Sequence, residues 1–423
     1  MSGASRGAVL FVESNTSGTG RIFAHTARAM GFRPVLVTAR PEKYAYLSQE
    51  GAPEVVAVPR IDGDELYELV RERFAGGAEV AGITSSSEYF IATAAALAAR
   101  FGLPCPDAAA VAAARDKSRQ REVLSAGGIP TPAFRVASSA EEAAAAARGI
   151  GFPVVLKPVA GSGSVGVRAC ADAEDAAGHA AAVLAQAATP AERRVLVEAM
   201  VRGPEFSVEV FSGRVVGITR KHLGEPPFFV EAGHDYPAPV SDDLACTLTD
   251  TVRRATALLG LGWGPLHWEL RVQDGLAYPM EVNPRLAGGF IPELVRSAQG
   301  IDLIRATLRL VVGEPPELEA ARHRWASIRF LFAPRPGRLD AVEGMEEARA
   351  AEHVTDVAMY RRPGDELTVE NDFRDRIGHV VACADEPEAA CAAAERARGA
   401  VRVVVGAHAD AGAPLPVGSG GAA

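Results

Sequence analysis

GPLHWELRVQDGLAYPMEVNPRLAGGF, residues 264–290, reads as two short strands joined by a tight turn around Gln273-Asp274-Gly275. Side chains alternate faces along a strand, so His267, Glu269 and Arg271 share one face of the first. Glu281 and Asn283 share a face of the second. Pairing the strands brings Glu269, Glu281 and Asn283 together, two carboxylates and an amide oxygen. Hard oxygen donors of this kind suit a Mg²⁺ ion carrying nucleotide phosphates. Arg285, two residues further on, is placed to offset charge on a transferring phosphoryl group. The bland alternative is a hairpin whose acids simply face water.

Two stretches upstream add to this pattern. In VVLKPVAGSGSVGV, residues 154–167, Lys157 ends an apolar strand and a glycine loop follows, with Gly161, Gly163 and Gly166 in quick succession. Such a loop can close backbone N–H groups over a triphosphate while the lysine meets its charge. No GKS or GKT follows, so it is not a P-loop. The next segment is strand-like rather than helical, so it is not a dinucleotide fingerprint either. In VLVEAMVRGPEFSVEV, residues 195–210, a strand runs into a short linker with an acid at each end. The linker backbone can meet an adenine edge, with Glu198 and Glu205 near the adenine amino group and the ribose hydroxyls.

The chain has 423 residues and a net charge of −9, which argues for several domains and against nucleic acid or an anionic membrane as partner. Five cysteines, at 105, 170, 246, 383 and 391, form no CxxC pair and read as reduced, structural thiols. No apolar run approaches membrane-spanning length, so the expectation is a soluble, cytoplasmic protein. Residues 8–105 alternate the strands AVLFV, PVLVT, EVVAV and VAGIT with helical segments, which implies a parallel sheet covered by helices. Ligands bind at the carboxyl ends of such strands, so Glu13 to Gly20 and Thr84 to Glu88 share one rim. The small-residue loop FVESNTSGTG, residues 11–20, first suggests a phosphate cradle. With triphosphate elements lying downstream, it is better read as a wall of the substrate site. DAAAVAAARDKSRQREVLSAGG, residues 107–128, reads as one helical stretch, VGVRAC as a strand, and 242–260 as a helix.

In this order, DKSRQREVLSAGGIPTPAF, the glycine loop, VLVEAMVRGPEFSVEV, HWELRV and MEVNPRLAGGF resemble the ATP-grasp superfamily over roughly residues 110–312. The resemblance implies α/β and α+β multidomain architecture. A Rossmann-like domain would occupy 1–110 and the ATP-grasp domain 111–315, with a lid subdomain about 120–195 and a larger part about 196–315. A small α+β domain would follow at 316–410, and a disordered tail at 411–423. The resemblance further implies ATP and Mg²⁺ as cofactors, two ions with Mn²⁺ able to substitute. Lys117 and Lys157 would contact the phosphates, and the loop with Gly161, Ser162, Gly163, Ser164 and Gly166 would be a mobile lid. Glu198, the backbone of Ala199, Met200 and Val201, and Glu205 would hold adenosine. Glu269, Glu281 and Asn283 would ligate the metal, and Arg285 would stabilise the phosphoryl and acyl-phosphate stage.

NPRLAGGF, FFVEAGHDYPAP, ASIRFLFAPRPG and ESNTSGTG look like the L-amino-acid ligase branch, which joins a carboxylate to an amine at the expense of ATP. Small-molecule carboxylate and amine substrates are the partners this implies, and a homodimer is the general expectation for a chain of this kind, which the sequence does not fix. The alternatives are a non-catalytic nucleotide-binding protein on the same scaffold, or a carboxylase-type enzyme that uses bicarbonate. Glu13, Ser14 and Asn15 at the sheet rim, Arg271, Gly288, Gly289 and Arg329 are the candidate substrate contacts. His234, read as lying in a Gly/Pro-bounded loop, is either a substrate-orienting or proton-accepting group or a solvent-exposed histidine. His267 either orients the metal shell or packs within its strand. Lys221 and His222 end a strand and read as exposed.

Overall fold

A computed structural model describes residues 6–406 apart from 17, 62, 75–78, 162, 188 and 190–192. Ser162 and the expected tail therefore lie outside the described residues.

The N-terminal strands β1 (Ala8–Val12), β2 (Arg33–Thr38), β3 (Glu54–Ala57) and β4 (Val80–Thr84) pair in parallel in the order β3-β2-β1-β4. All of β1 is buried because both faces are covered, which is why AVLFV shows no polar alternation. Leu10 and Val12 pack against Leu66, Val70 and Leu97 of two helices. Val9 and Phe11 pack against Phe23 and Ala27 of the helix Gly18–Ala29. The winding direction changes between β1 and β4, and a crevice opens beyond the carboxyl ends of such strands. The rim residues Ser14 and Ser86 meet there through their hydroxyls at 2.6 Å, and Asn15 bonds both the Ser86 hydroxyl and its carbonyl at 3.0 Å.

A second, antiparallel sheet has the order β5-β8-β6-β7, from β5 (Phe134–Ala137), β6 (Val154–Pro158), β7 (Arg168–Cys170) and β8 (Val195–Ala199). The helices Ala140–Ile150 and Ala173–Ala185 bury their alanine-rich faces against it. The strand expected over VGVRAC is confined to Arg168–Cys170, because Gly166 adopts φ +71 and the chain turns there. The single helix expected over 107–128 is broken into Ala108–Ala113 and Lys117–Ala126. Asp116 causes the break: its extended backbone caps the second helix, and its carboxylate accepts from the N–H groups of Ser118 and Arg119. Lys117 thereby becomes the first residue of a helix beside the glycine loop.

The largest sheet has eight antiparallel strands in the order β13-β12-β9-β10-β11-β14-β18-β16. They are β9 (Glu205–Phe211), β10 (Arg214–Leu223), β11 (Glu231–Tyr236), β12 (Pro265–Gln273), β13 (Leu276–Asn283), β14 (Trp325–Phe332), β16 (Val354–Met359) and β18 (Arg376–Ala384). Three of these strands come from the C-terminal segment expected as a separate α+β unit. The same segment also forms a small sheet from β15 (Gly337–Glu343), β17 (Glu366–Leu367) and β19 (Arg402–Val405). On β12, Leu266, Trp268 and Leu270 face the helix Asp242–Leu258, so His267, Glu269 and Arg271 face the other way. No described helix is long and apolar enough to cross a membrane.

Candidate active site

Two cavities share a wall made of Gly163, Glu231, Glu269 and Arg285. The smaller, about 110 Å³, lies between the sheet β5-β8-β6-β7 and the β12–β13 hairpin, with Lys117, Lys157, Glu205 and Glu281 among its lining. The larger, about 1000 Å³, is walled by Asn15, Thr16 and Glu88 from the N-terminal domain and by His234, Gly288 and Gly289 from the central one.

The hairpin turns through Asp274 (φ 52) and Gly275 (φ 75), the left-handed pair that lets two strands pair without splaying. Glu269 lies directly opposite Glu281, and His267 opposite Asn283. The register then slips, with Leu270 opposite Pro279 and Met280 left over. Proline has no N–H for the ladder, and bulges tolerate that loss. The carbonyl of Met280 turns to cations instead, accepting from Arg121 at 2.6 Å and Lys157 at 3.5 Å.

Each carboxylate here is met by a buried base. Lys117 lies 3.1 Å from Glu281 and donates to the Gly161 carbonyl at 2.7 Å. Lys157 lies 2.5 Å from Glu198, whose other oxygen bonds the fully buried Arg121. Burial alone would raise the Glu198 pKa, but Arg121 and Lys157 hold it below the ordinary carboxylate range. Glu198 thus positions Lys157, and the linker backbone beyond Ala199 remains the candidate adenine edge. Lys221, expected at the surface, is buried beneath three carboxylates: Glu205 at 3.0 Å, Glu231 at 2.6 Å and Glu269 at 2.8 Å. Its neighbour His222 sits outside this web, 2.6 Å from Asp235. His267 bridges Glu209 at 2.9 Å and Glu269 at 3.1 Å. Burial disfavours its charge, yet Glu209 and then Glu269 outweigh that and lift its pKa to about 9.

His234 is a strand residue, not a loop residue. It lies on β11 between β10 and β14, almost wholly buried, with its ring edge-on to Phe330. The prolines suggested a loop because they begin just past the strand's end at Tyr236. Burial lowers its pKa, so the ring is neutral. Its Nδ1 lies 2.9 Å from the Gly289 carbonyl, which assigns the proton to Nδ1 and leaves a lone pair on Nε2, 3.5 Å from Glu231. Gly289 has φ +58, and a Cβ there would collide with Cε1 of His234 and lie 3.2 Å from Nδ1. Gly289→Ala is therefore expected to destabilise the protein by about 1–3 kcal/mol. Thermal unfolding of this variant beside Gly288→Ala, where nothing lies within 4 Å of a Cβ, checks the expectation.

Arg285 donates to Glu88 at 2.6 Å and to the Leu286 carbonyl at 3.0 Å, so the N-terminal domain aims it at the boundary between the cavities. Other expected substrate contacts fall elsewhere. Arg329 is buried against Asp235 at 2.7 Å and Glu395, lining neither cavity, because β14 is interior to the sheet. Arg271 lines the smaller cavity, bonding Glu205 at 2.9 Å and the Val201 carbonyl at 3.0 Å. Glu13 and Ser14 support the rim from beneath: Glu13 accepts from Thr38 and the Ala39 N–H, and only Asn15 of the three lines the larger cavity. Glu231 and Arg376 line the site although the sequence reading names neither, while Lys221, expected at the surface, and Glu88, expected only as part of a sheet rim, brace it. No local signal identifies them, since each acquires its role from a strand or loop distant in sequence. Strict alternation along β11 would put Glu231 and His234 on opposite faces, and the register shift between Gly233 and Glu231 is what brings them together.

Residues 150–293 match the family model of the ATP-grasp domain, and residues 329–406 that of L-amino acid ligase C-terminal domain 2. The chain belongs to the ATP-grasp family. This ATP-grasp chain is 38% identical over 395 residues to the uncharacterised protein y4rH of Sinorhizobium fredii, covering 93% of this chain and 82% of that one. It is 28% identical over 350 residues to carnosine synthase 1 of Gallus gallus, covering 76% of this chain but 38% of that longer protein. With D-alanine–D-alanine ligase of Pseudomonas putida it shares 28% over 214 residues, 48% of this chain and 65% of the other. In fold, the ATP-grasp chain is similar to the L-amino acid ligase from Bacillus licheniformis, with a TM-score of 0.81 at 21% identity over 96% of this chain and 100% of that one.

Proposed function

We propose that the chain is an ATP- and Mg²⁺-dependent carboxylate–amine ligase, with an amino acid as at least one substrate. The observation that carries this reading is the shared wall: a lysine-lined cleft adjoins a larger cavity along Glu231, Glu269, Arg285 and Gly163. A terminal phosphoryl group held by Lys117 and Lys157 would be presented to a carboxylate resting in the larger cavity.

The donor set fits Mg²⁺. Glu269 and Glu281 face each other and Asn283 lies one pair along, and lysines now meet both acids, so the hairpin calls for positive charge. Among the described residues no group of three or more His, Cys, Asp and Glu forms a cage of its own. An ion held by the hairpin would share its shell with phosphate oxygens. Bound there, the ion would offset charge on the transferring phosphoryl group. Arg285 would meet the same charge from the other side. The substrate carboxylate would attack the terminal phosphorus, ADP would leave, and the amine would displace phosphate from the acyl phosphate. The lone pair of His234 Nε2 beside Glu231 suits taking the amine's proton. Glu205 and Arg271 would frame the ribose end, and the glycine loop would keep water from the intermediate.

The test is a pairwise panel of amino acids and other carboxylates, reading phosphate release and product mass. Release that requires both a carboxylate and an amine, with a product lighter than their sum by one water, supports the reading. Release stimulated by bicarbonate alone, or none with any pair, overturns it.

A further inference from the structure

The C-terminal segment reaches the larger cavity through two side chains, Phe373 and Arg376. They flank a short turn that is locked from inside. The carboxylate of Asp375 accepts from the N–H groups of Glu370 and Asn371 at 2.7 Å, and the buried Asp372 accepts from the Arg374 N–H at 2.9 Å. Phe373 rests against the glycine loop so closely that a Cβ on Gly163 would strike its ring. Arg376, the first residue of β18, stacks its guanidinium 3.9 Å over Phe330 and donates to the Glu231 carbonyl at 3.2 Å and its carboxylate at 2.5 Å.

Glu231 is thus held by two cations, since Lys221 also lies 2.6 Å away. Arg376 can turn to another anion without leaving Glu231 unpaired. Beside them, the Glu231 carboxylate and the lone pair of His234 Nε2 together suit an ammonium group. A cation-accepting and a carboxylate-accepting group in direct contact match a ligand that carries ammonium and carboxylate on one carbon. We infer that Arg376 anchors the carboxylate of an α-amino acid that supplies the amine, and holds that carboxylate away from phosphorylation. The inference rests on the ligase reading and assigns one substrate's orientation within it. The reacting carboxylate must face Arg285 at the nucleotide boundary, so the carboxylate at Arg376 is the one left free in the product.

The test compares L-amino acids with their primary amides, which keep the amine and lose the negative charge. In wild-type protein the amides should bind less well as amine substrates. Arg376→Gln should raise KM for the amino acids about 10- to 100-fold and KM for the amides much less. Arg376→Lys, which keeps the charge but not the planar fork, should restore part of the preference. Equal losses for acids and amides, or no loss for either, overturn the anchor. Thermal-shift titration with the same acids and amides separates the two ideas. A preference for acids that Arg376→Gln abolishes supports the anchor even in protein that forms no amide, and the ligase reading alone then fails. No preference in the titration overturns the anchor.

Discussion

Arg285→Ala is expected to lower kcat for amine-dependent phosphate release about 10²- to 10³-fold, the usual loss when one group aimed at developing charge is removed. ATP affinity should stay within a few-fold of wild type. The nucleotide-side groups Lys117, Lys157 and Glu205 are carried on other elements and do not depend on the Arg285 side chain. The guanidinium is fixed by two bonds, to Glu88 and to the Leu286 carbonyl, so it pays little ordering entropy when substrate arrives. Arg285→Lys should recover only a small part of the rate, because an ammonium cannot keep both bonds and face a phosphoryl group. Steady-state kinetics beside an ATP titration separates the two effects. Full activity in Arg285→Ala would remove Arg285 from the chemistry.

Lys221→Met carries the largest expected cost in stability, about 3–5 kcal/mol. The ammonium is buried with Glu205, Glu231 and Glu269 all within 3.0 Å. Methionine fills similar space, so the loss is electrostatic: three carboxylates remain where one base had balanced them. Arg271 on Glu205, Arg376 on Glu231 and His267 on Glu269 offset part of it, which keeps the figure from being larger. A surface pair gives the contrast. Arg349 lies 2.6 Å from Glu346, but both side chains are largely in water, and Arg349→Ala should shift stability by less than about 0.5 kcal/mol. Urea unfolding of the two variants beside wild type decides the matter, and equal midpoints for all three would refute the buried web.

Much of this site is legible in the chain because its pieces are local. Alternation along HWELRV and MEVN marks the acids of each strand, but a two-residue turn alone would set Glu269 opposite Met280; the bulge at Met280 is what brings Glu269 opposite Glu281. The glycine loop and Lys157 announce themselves by spacing. The runs at 8–12 and 80–84 identify the parallel sheet, and with it the rim where Ser14 and Ser86 meet. What was misread has a common cause. Lys221 looks like a strand's exposed end until β9, β11 and β12 enclose it with acids. His234 looks like a loop residue until β14, nearly a hundred residues on, pairs with β11. Arg329 looks free to reach a substrate until Asp235 and Glu395 claim it.

The sequence by itself determined the candidate groups: the acids of each hairpin strand, Lys157 with its glycine loop, and Arg285 follow from spacings of a few residues, and Lys117 from the resemblance to ATP-grasp chains. Short spacings are governed by strand periodicity and turn stereochemistry, which act within a few residues. Only the tertiary structure decided which charges neutralise one another, that Arg376 enters the cavity, and that Glu88 holds Arg285. Those pairings join residues far apart in the chain. They depend on which strands and loops the tertiary fold brings side by side, and no local propensity encodes that.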